Sequence, residues 1–317
     1  MTLKATAQVI ATTVAKADSA AWLSGFIPDL PTPFNHQDKI DTEAFGRLCE
    51  RQIAAGASAL VVGETAGENA TLEPAERAEL VRIAASVARK RVRIIAGAGS
   101  NATERAVTFT RAAEAAGADA IMSVVPYYNK PMPQGMAAHF RAVAAATALP
   151  IILHDVSART VKGLADETLL ELAHTPRFIG LRDGSGDVAR LRRLRPRLPA
   201  TFRMLTSDDT VSLAYMAAGG DGCISQVSNV APDLCVAVAR HLREGRLYQA
   251  RELHQRLVPL ATLLEREHPA ALKFALALLG FMQPATRLPI VQLDGAAKAE
   301  IAQAMTDIAD EYLAVAR

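Results

Sequence analysis

Arg182 stands at the end of a short apolar run, Phe178 to Leu181, just before the chain breaks at Gly184 and Gly186. A guanidinium there offers a planar fork of donors that suits a carboxylate or an enolate oxygen. Paired with an acidic side chain, it would instead plug the same place. His154 ends a second apolar run, Ile151 to Leu153, and an imidazole is a candidate acid or base near neutral pH. If that run is a strand, His154 and Asp155 face opposite sides. In Gly63-Glu64-Thr65-Ala66-Gly67-Glu68, glycines allow backbone N–H groups to converge on one point, which makes an anion site or a plain turn. Tyr127 and Tyr128 form an aromatic pair that could move protons or simply pack at a strand end.

These residues need a scaffold that brings strand ends together. Eight candidate strands lie near 25–31, 57–63, 91–98, 119–126, 150–156, 178–183, 203–207 and 221–227. Amphipathic helices fill the gaps. Asp41 caps one with Phe45, Leu48, Cys49 and Ile53 on one face; others start near Pro74, Pro133, Asp166, Asp187 and Asp209. A helix–Gly–strand corner recurs at Gly56, Gly117 and Gly219, where glycine accepts the left-handed conformation after a helix. Alternation of eight buried strands with helices predicts a (β/α)8 TIM barrel, whose strand C-termini form the mouth where chemistry happens. The expected division is an N-terminal extension over 1–23, the barrel over 24–231 and a C-terminal helical appendage over 232–317.

Composition narrows the function. Half of the residues are apolar and the net charge is +2, which points to no polyanionic partner. The basic run Arg190, Arg192, Arg193, Arg195 and Arg197 reads as a solvated helix face, so no nucleic acid is expected. No apolar run is long enough to span a membrane. Residues 1–23 have the rough outline of a secretory leader, but Gln8, Thr12, Thr13 and Lys16 weaken its core; a helical or frayed extension is expected instead. The three cysteines are widely spaced and fit a reduced cytoplasmic protein. Neither the seven histidines nor the acids cluster at metal-ligand spacing, so no metal is implied. Gly97-Ala98-Gly99 and Gly184-Ser185-Gly186 each lack the third glycine of a nucleotide fingerprint, and no cofactor is expected.

In order along the chain, the Thr65–Glu68 turn, Gly97–Thr103, Pro126-Tyr127-Tyr128-Asn129, Ile152–Thr160 and Phe178–Asp187 together resemble the dihydrodipicolinate synthase / N-acetylneuraminate lyase family. The resemblance runs from about Gly25 into the C-terminal helices. It implies a 2-oxo acid lyase, homotetrameric as a dimer of dimers, with Tyr128 crossing to a neighbouring subunit. It also implies that Thr65 and Ala66 hold the substrate carboxylate, with Arg159 and Ile224 as further binding residues. Arg105 stands where lysine-regulated members carry a glutamate, so regulation by lysine is not expected. In the family, a lysine on the sixth strand forms a Schiff base and a tyrosine on the fifth shuttles protons. Here those positions are Arg182 and His154. A guanidinium of pKa about 12.5 leaves only about three neutral groups per million at pH 7. The expectation is a member that binds a small 2-oxo acid or related carboxylate without a Schiff base, using Arg182, His154 and Tyr128. The alternatives are a non-catalytic carboxylate-binding sensor or accessory subunit, or a Schiff base relocated to Lys130 or Lys162.

Overall fold

The structure, a computed structural model, describes residues 20–315. Eight parallel strands stand where the sequence predicts them: β1 Gly25–Pro28, β2 Ala59–Val62, β3 Arg93–Gly97, β4 Ala120–Val124, β5 Ile151–Asp155, β6 Phe178–Asp183, β7 Arg203–Thr206 and β8 Gly222–Ser225. They pair in the order β1-β8-β7-β6-β5-β4-β3-β2. The seam between β1 and β2 is drawn together by an Asp29–Val61 bridge and by Leu30 N–H donating to the Val61 carbonyl at 3.0 Å. The result is a nearly closed TIM barrel.

Alternate residues of each strand fill the interior. Ile27, Val61, Ile95, Met122, Ile152, Leu205 and Ile224 form one buried core, joined by Ala20 and Leu23. The outward residues pack under a coat of helices: α1 Thr42–Ala54, α2 Pro74–Ala88, α3 Thr103–Ala115, α4 Pro133–Ala145, α5 Asp166–Ala173, α6 Val188–Leu194 and α7 Ser212–Ala217. The expected start signals operate. Asp41 accepts from Ala44 N–H at 2.9 Å, and Asp187 from Arg190 N–H at 3.0 Å. Pro74 and Pro133 open α2 and α4, where a missing N–H costs nothing.

Two boundaries differ from the sequence reading. Helix α8, Pro232–Arg243, packs on β1 with Phe26 and Cys223 beneath it, so it is the barrel's own last helix. The appendage proper is α9 Leu247–Arg266, α10 Ala270–Leu278 and α11 Gly295–Val315. An apolar face announces a buried helix but not the surface it covers. Of the expected 1–23 extension, Ala20 and Leu23 belong to the barrel core, and the remainder up to residue 19 lies outside the described residues.

Candidate active site

Parallel pairing sets His154 beside Arg182 and Val124 beside His154 at the C-terminal ends of β4, β5 and β6. Arg182 points into the barrel and is only 3% exposed. Its Nη1 donates to Asp29 Oδ2 at 2.9 Å and to Glu64 Oε2 at 3.2 Å. Both carboxylates are buried, one just past β1 and the other just past β2. Glu64 is aimed inward by Gly63, whose φ of +62° turns the chain at the end of β2. Its Oε1 lies 3.1 Å from His154 Nδ1. An ionised carboxylate only accepts, so that ring nitrogen carries the hydrogen.

The same carboxylates occupy the backbone donors that the family resemblance assigned to a substrate. Thr65 N–H donates to Glu64 Oε2 at 2.6 Å, and the Thr65 hydroxyl bonds to the same oxygen. Ala66 N–H donates to Asp29 Oδ2 at 3.4 Å. A carboxylate therefore does sit at each donor, but it belongs to the chain. Burial would raise both acids. For Glu64 the charge and hydrogen bond of His154, then Arg182 and Thr65, overcome it and hold the carboxyl well below the usual range. For Asp29 burial prevails over Arg182, and the neighbouring Glu64 charge adds to it, so its pKa is raised. If the pair shares one proton, Asp29 holds it.

Asp155, on the opposite face of β5 from His154, accepts from Arg190 Nη1 at 2.8 Å and from Leu164 N–H at 3.1 Å. Arg190 also reaches Asp166 at 2.9 Å and Asp183 at 3.3 Å. It is thus the buried hub of an acidic cluster between the sheet and its helices, not part of a solvated face. The rest of the basic run stays nearer the surface, with Arg197 paired to exposed Glu167.

Above the Arg182 cluster lies a cavity of about 300 Å3, lined in part by Glu64, Thr65, Tyr127, Arg159, Thr160 and His268. Of the predicted residues, the structure brings Thr65, Ala66, His154 and Arg182 together and puts Arg159 on the cavity wall. Ile224 lies in the interior core instead. Tyr128 is 87% exposed with φ of +72°, while its neighbour Tyr127 faces the cavity. Lys130 and Lys162 are both exposed outside it. A second cleft, of about 350 Å3, opens at the opposite end beside Ser24, Gly56, Gly220 and Leu242 and contains none of these groups.

Sequence reasoning missed Asp29, Glu64, His268 and Lys273. Asp29 and Lys273 had a signal, each being a lone charge in an apolar stretch. Lys273 is fully buried on α10, paired with Glu68, donating to the Ala285 carbonyl at 2.7 Å and lying 4.0 Å above the Phe34 ring. Among the described residues no set of three or more metal-type ligands is placed to hold an ion, and no helix is long and apolar enough to cross a membrane.

Comparison with known proteins agrees with this architecture. The model of the dihydrodipicolinate synthetase family matches residues 22–308. A 4-hydroxy-tetrahydrodipicolinate synthase of Hyphomonas neptunium is 43% identical over 284 residues, 89% of this chain and 97% of that protein. The structure of the 4-hydroxy-tetrahydrodipicolinate synthase of Methylacidiphilum fumariolicum SolV superposes with a TM-score of 0.89 at 35% identity, covering 92% and 98% of the two chains. The chloride-inhibited dihydrodipicolinate synthase of Acinetobacter baumannii, complexed with pyruvate, gives 0.88 at 33% identity, covering 90% and 99%.

Proposed function

This chain belongs to the dihydrodipicolinate synthetase family, and on that premise we propose that it binds a small 2-oxo acid or related carboxylate at the barrel mouth without forming a Schiff base. One observation carries the reading. The inward group on β6 is a guanidinium, bonded to Asp29 and Glu64, where the resemblance puts an amine. Arginine stays protonated and is a poor nucleophile. The cluster also fills the inner carboxylate position, so the ligand sits in the outer cavity with its carboxylate on Arg159. That arrangement favours a binding protein over an aldolase. The relocated-lysine reading loses support, because Lys130 and Lys162 are exposed outside the cavity and Lys273 is sealed behind Glu68.

A second reading, proton transfer to or from a bound carboxylate, is favoured by the Glu64–His154 contact. A buried carboxylate holds the ring through Nδ1 and leaves Nε2 as the nitrogen that can take up or give a proton. The family resemblance supports a homotetramer, and the buried free thiols of Cys49, Cys223 and Cys235 fit a cytoplasmic setting.

Intact-protein mass after incubation with pyruvate and borohydride tests the first reading. No adduct is expected; a pyruvyl adduct on any lysine overturns it. Exchange of the pyruvate methyl hydrogens in heavy water tests the second. Exchange that vanishes in His154→Ala supports proton transfer, and none in the parent leaves binding alone.

A further inference from the structure

The outer cavity measures about 300 Å3, the lower end of the range for pockets that bury drug-sized ligands and far more than a three-carbon acid fills. Most of its polar wall groups are already paired within the chain. Thr65 Oγ1 bonds to Glu64, Thr71 Oγ1 donates to the Glu68 carbonyl at 3.0 Å, and Thr160 Oγ1 lies against the carbonyls of Val156 at 3.1 Å and Lys162 at 2.9 Å. Each threonine has only its methyl group left to offer. Glu64 is held by Arg182, His154 and Thr65, and Glu68 by Lys273 and the Arg287 N–H. What faces the space is therefore mainly carbon, to which Val124, Val156, Pro269 and Ile290 contribute.

Charge in the wall is one-sided. Arg159, on the turn Ser157–Thr160 after β5, has no ion-pair partner among the described residues, and Glu265 feels its charge without bridging to it. The other open polar groups are the Asn69 amide, the Tyr127 phenol and the His268 ring. Burial, then the charges of Arg159 and Arg182, push the His268 imidazole down to about 3 against the smaller opposing effect of Glu64, so it is neutral at physiological pH. Its Nδ1 is sealed from the cavity. One free cation pairs with one carboxylate. A second anionic group would lose its water beside Glu64 and Glu68 with no cation to receive it.

We propose that the mouth selects monocarboxylates with a hydrocarbon body longer than three carbons, over shorter acids and over dicarboxylates. This rests on the carboxylate-binding reading above and names its ligand class. The carboxylate pairs with Arg159 while the chain displaces water from the carbon walls, and each methylene so buried adds to affinity.

Titration calorimetry of the full chain with propionate, butyrate, pentanoate and hexanoate tests it. Affinity is expected to rise about two- to fourfold per added methylene, the gain from burying one such group. Propionate should displace hexanoate, which puts both at one site. Adipate, in which a second carboxylate replaces the terminal methyl of hexanoate, is expected to bind at least about tenfold more weakly than hexanoate. Ile290→Ser and the near-isosteric Val156→Thr, which put a hydroxyl in the carbon wall, should each reduce the gain per methylene. Equal affinity along the series, adipate binding as tightly as hexanoate, or hexanoate that propionate does not displace overturns the inference and leaves the carboxylate site standing. A gain per methylene undiminished in both folded variants also overturns it. Failure of all the acids to bind overturns the carboxylate site itself, and the inference with it.

Discussion

At the barrel centre one guanidinium is shared by two carboxylates, and a third group, His154, leans on one of them. Taking such charges out of water is expensive, and only their mutual contacts offset it. The residues are therefore a unit, and removing one strands the others. Arg182→Ala leaves Asp29 and Glu64 buried against each other. It is expected to cost about 3–5 kcal/mol in urea unfolding at pH 7. Replacing Asp29, Glu64 and Arg182 together by apolar residues should cost less than that single change. A loss under about 1 kcal/mol in Arg182→Ala would mean that the three do not act together. Arg182→Lys alone is not expected to give a pyruvate adduct near neutral pH, because two neighbouring carboxylates hold an amine charged. Adding Asp29→Ala and Glu64→Ala should let the adduct form, as read by mass after borohydride. An adduct on Arg182→Lys alone would show that the two acids do not guard the site.

At the scale of elements, function depends on how closely strand ends approach. Gly97 ends β3 at the point where a Cβ would lie 2.2 Å from the Gly63 carbonyl oxygen and 3.0 Å from Glu64 Cα. Both neighbours are backbone, so neither can swing aside. Gly97→Ala is expected to destabilise by about 1–3 kcal/mol. It should also push the Glu64 loop outward and weaken binding at the mouth; a variant with parent stability and affinity would refute the close approach. A second device is the segment 281–294 between α10 and α11. Arg287 ties it down through two 2.7 Å bonds to Glu76, others to Asp38 and the Thr71 carbonyl, and its own N–H to Glu68 Oε2 at 3.0 Å. Ile290 of this segment forms part of the cavity wall. The appendage thus finishes the mouth that the barrel begins.

At the scale of the whole molecule, the joint between barrel and appendage should respond to pH through Lys273. Burial lowers its pKa to about 8, against the charge and hydrogen bond of Glu68. An unfolded lysine titrates near 10.4. Between those values the unfolded chain binds the proton and the folded chain does not, so this residue's contribution to stability rises with pH across that window. Relative to Lys273→Met, the parent should gain up to about 3 kcal/mol between pH 8 and 10.5, read from paired melting curves. A flat difference would mean the lysine is not held in its buried site. Assembly is tested at Tyr128, whose 87% exposure on a positive-φ backbone is a poor use of an aromatic ring in a lone subunit. Light scattering should find a four-chain particle in the parent and a smaller one in Tyr128→Ala. A monomeric parent would remove the assembly role.

Strand number, strand position and helix caps were legible in the sequence because they depend on short-range pattern: apolar runs, Pro at helix starts, Asp at caps and Gly at corners. The same alternation put His154 and Asp155 on opposite faces, and the structure turns His154 inward to Glu64 and Asp155 toward Arg190. The alternation could not say what Arg182 would meet, since Asp29 and Glu64 lie 153 and 118 residues away. Nor could it tell that the Thr65 and Ala66 donors face the chain's own carboxylates, that Arg190 leaves the surface to bind three acids, or that His268 joins Arg159 in one cavity. Sequence by itself determined the barrel and the place of its mouth, because backbone pattern is local. Only the tertiary structure decided which charges meet there, because closing the barrel brings together strand ends that the chain keeps far apart.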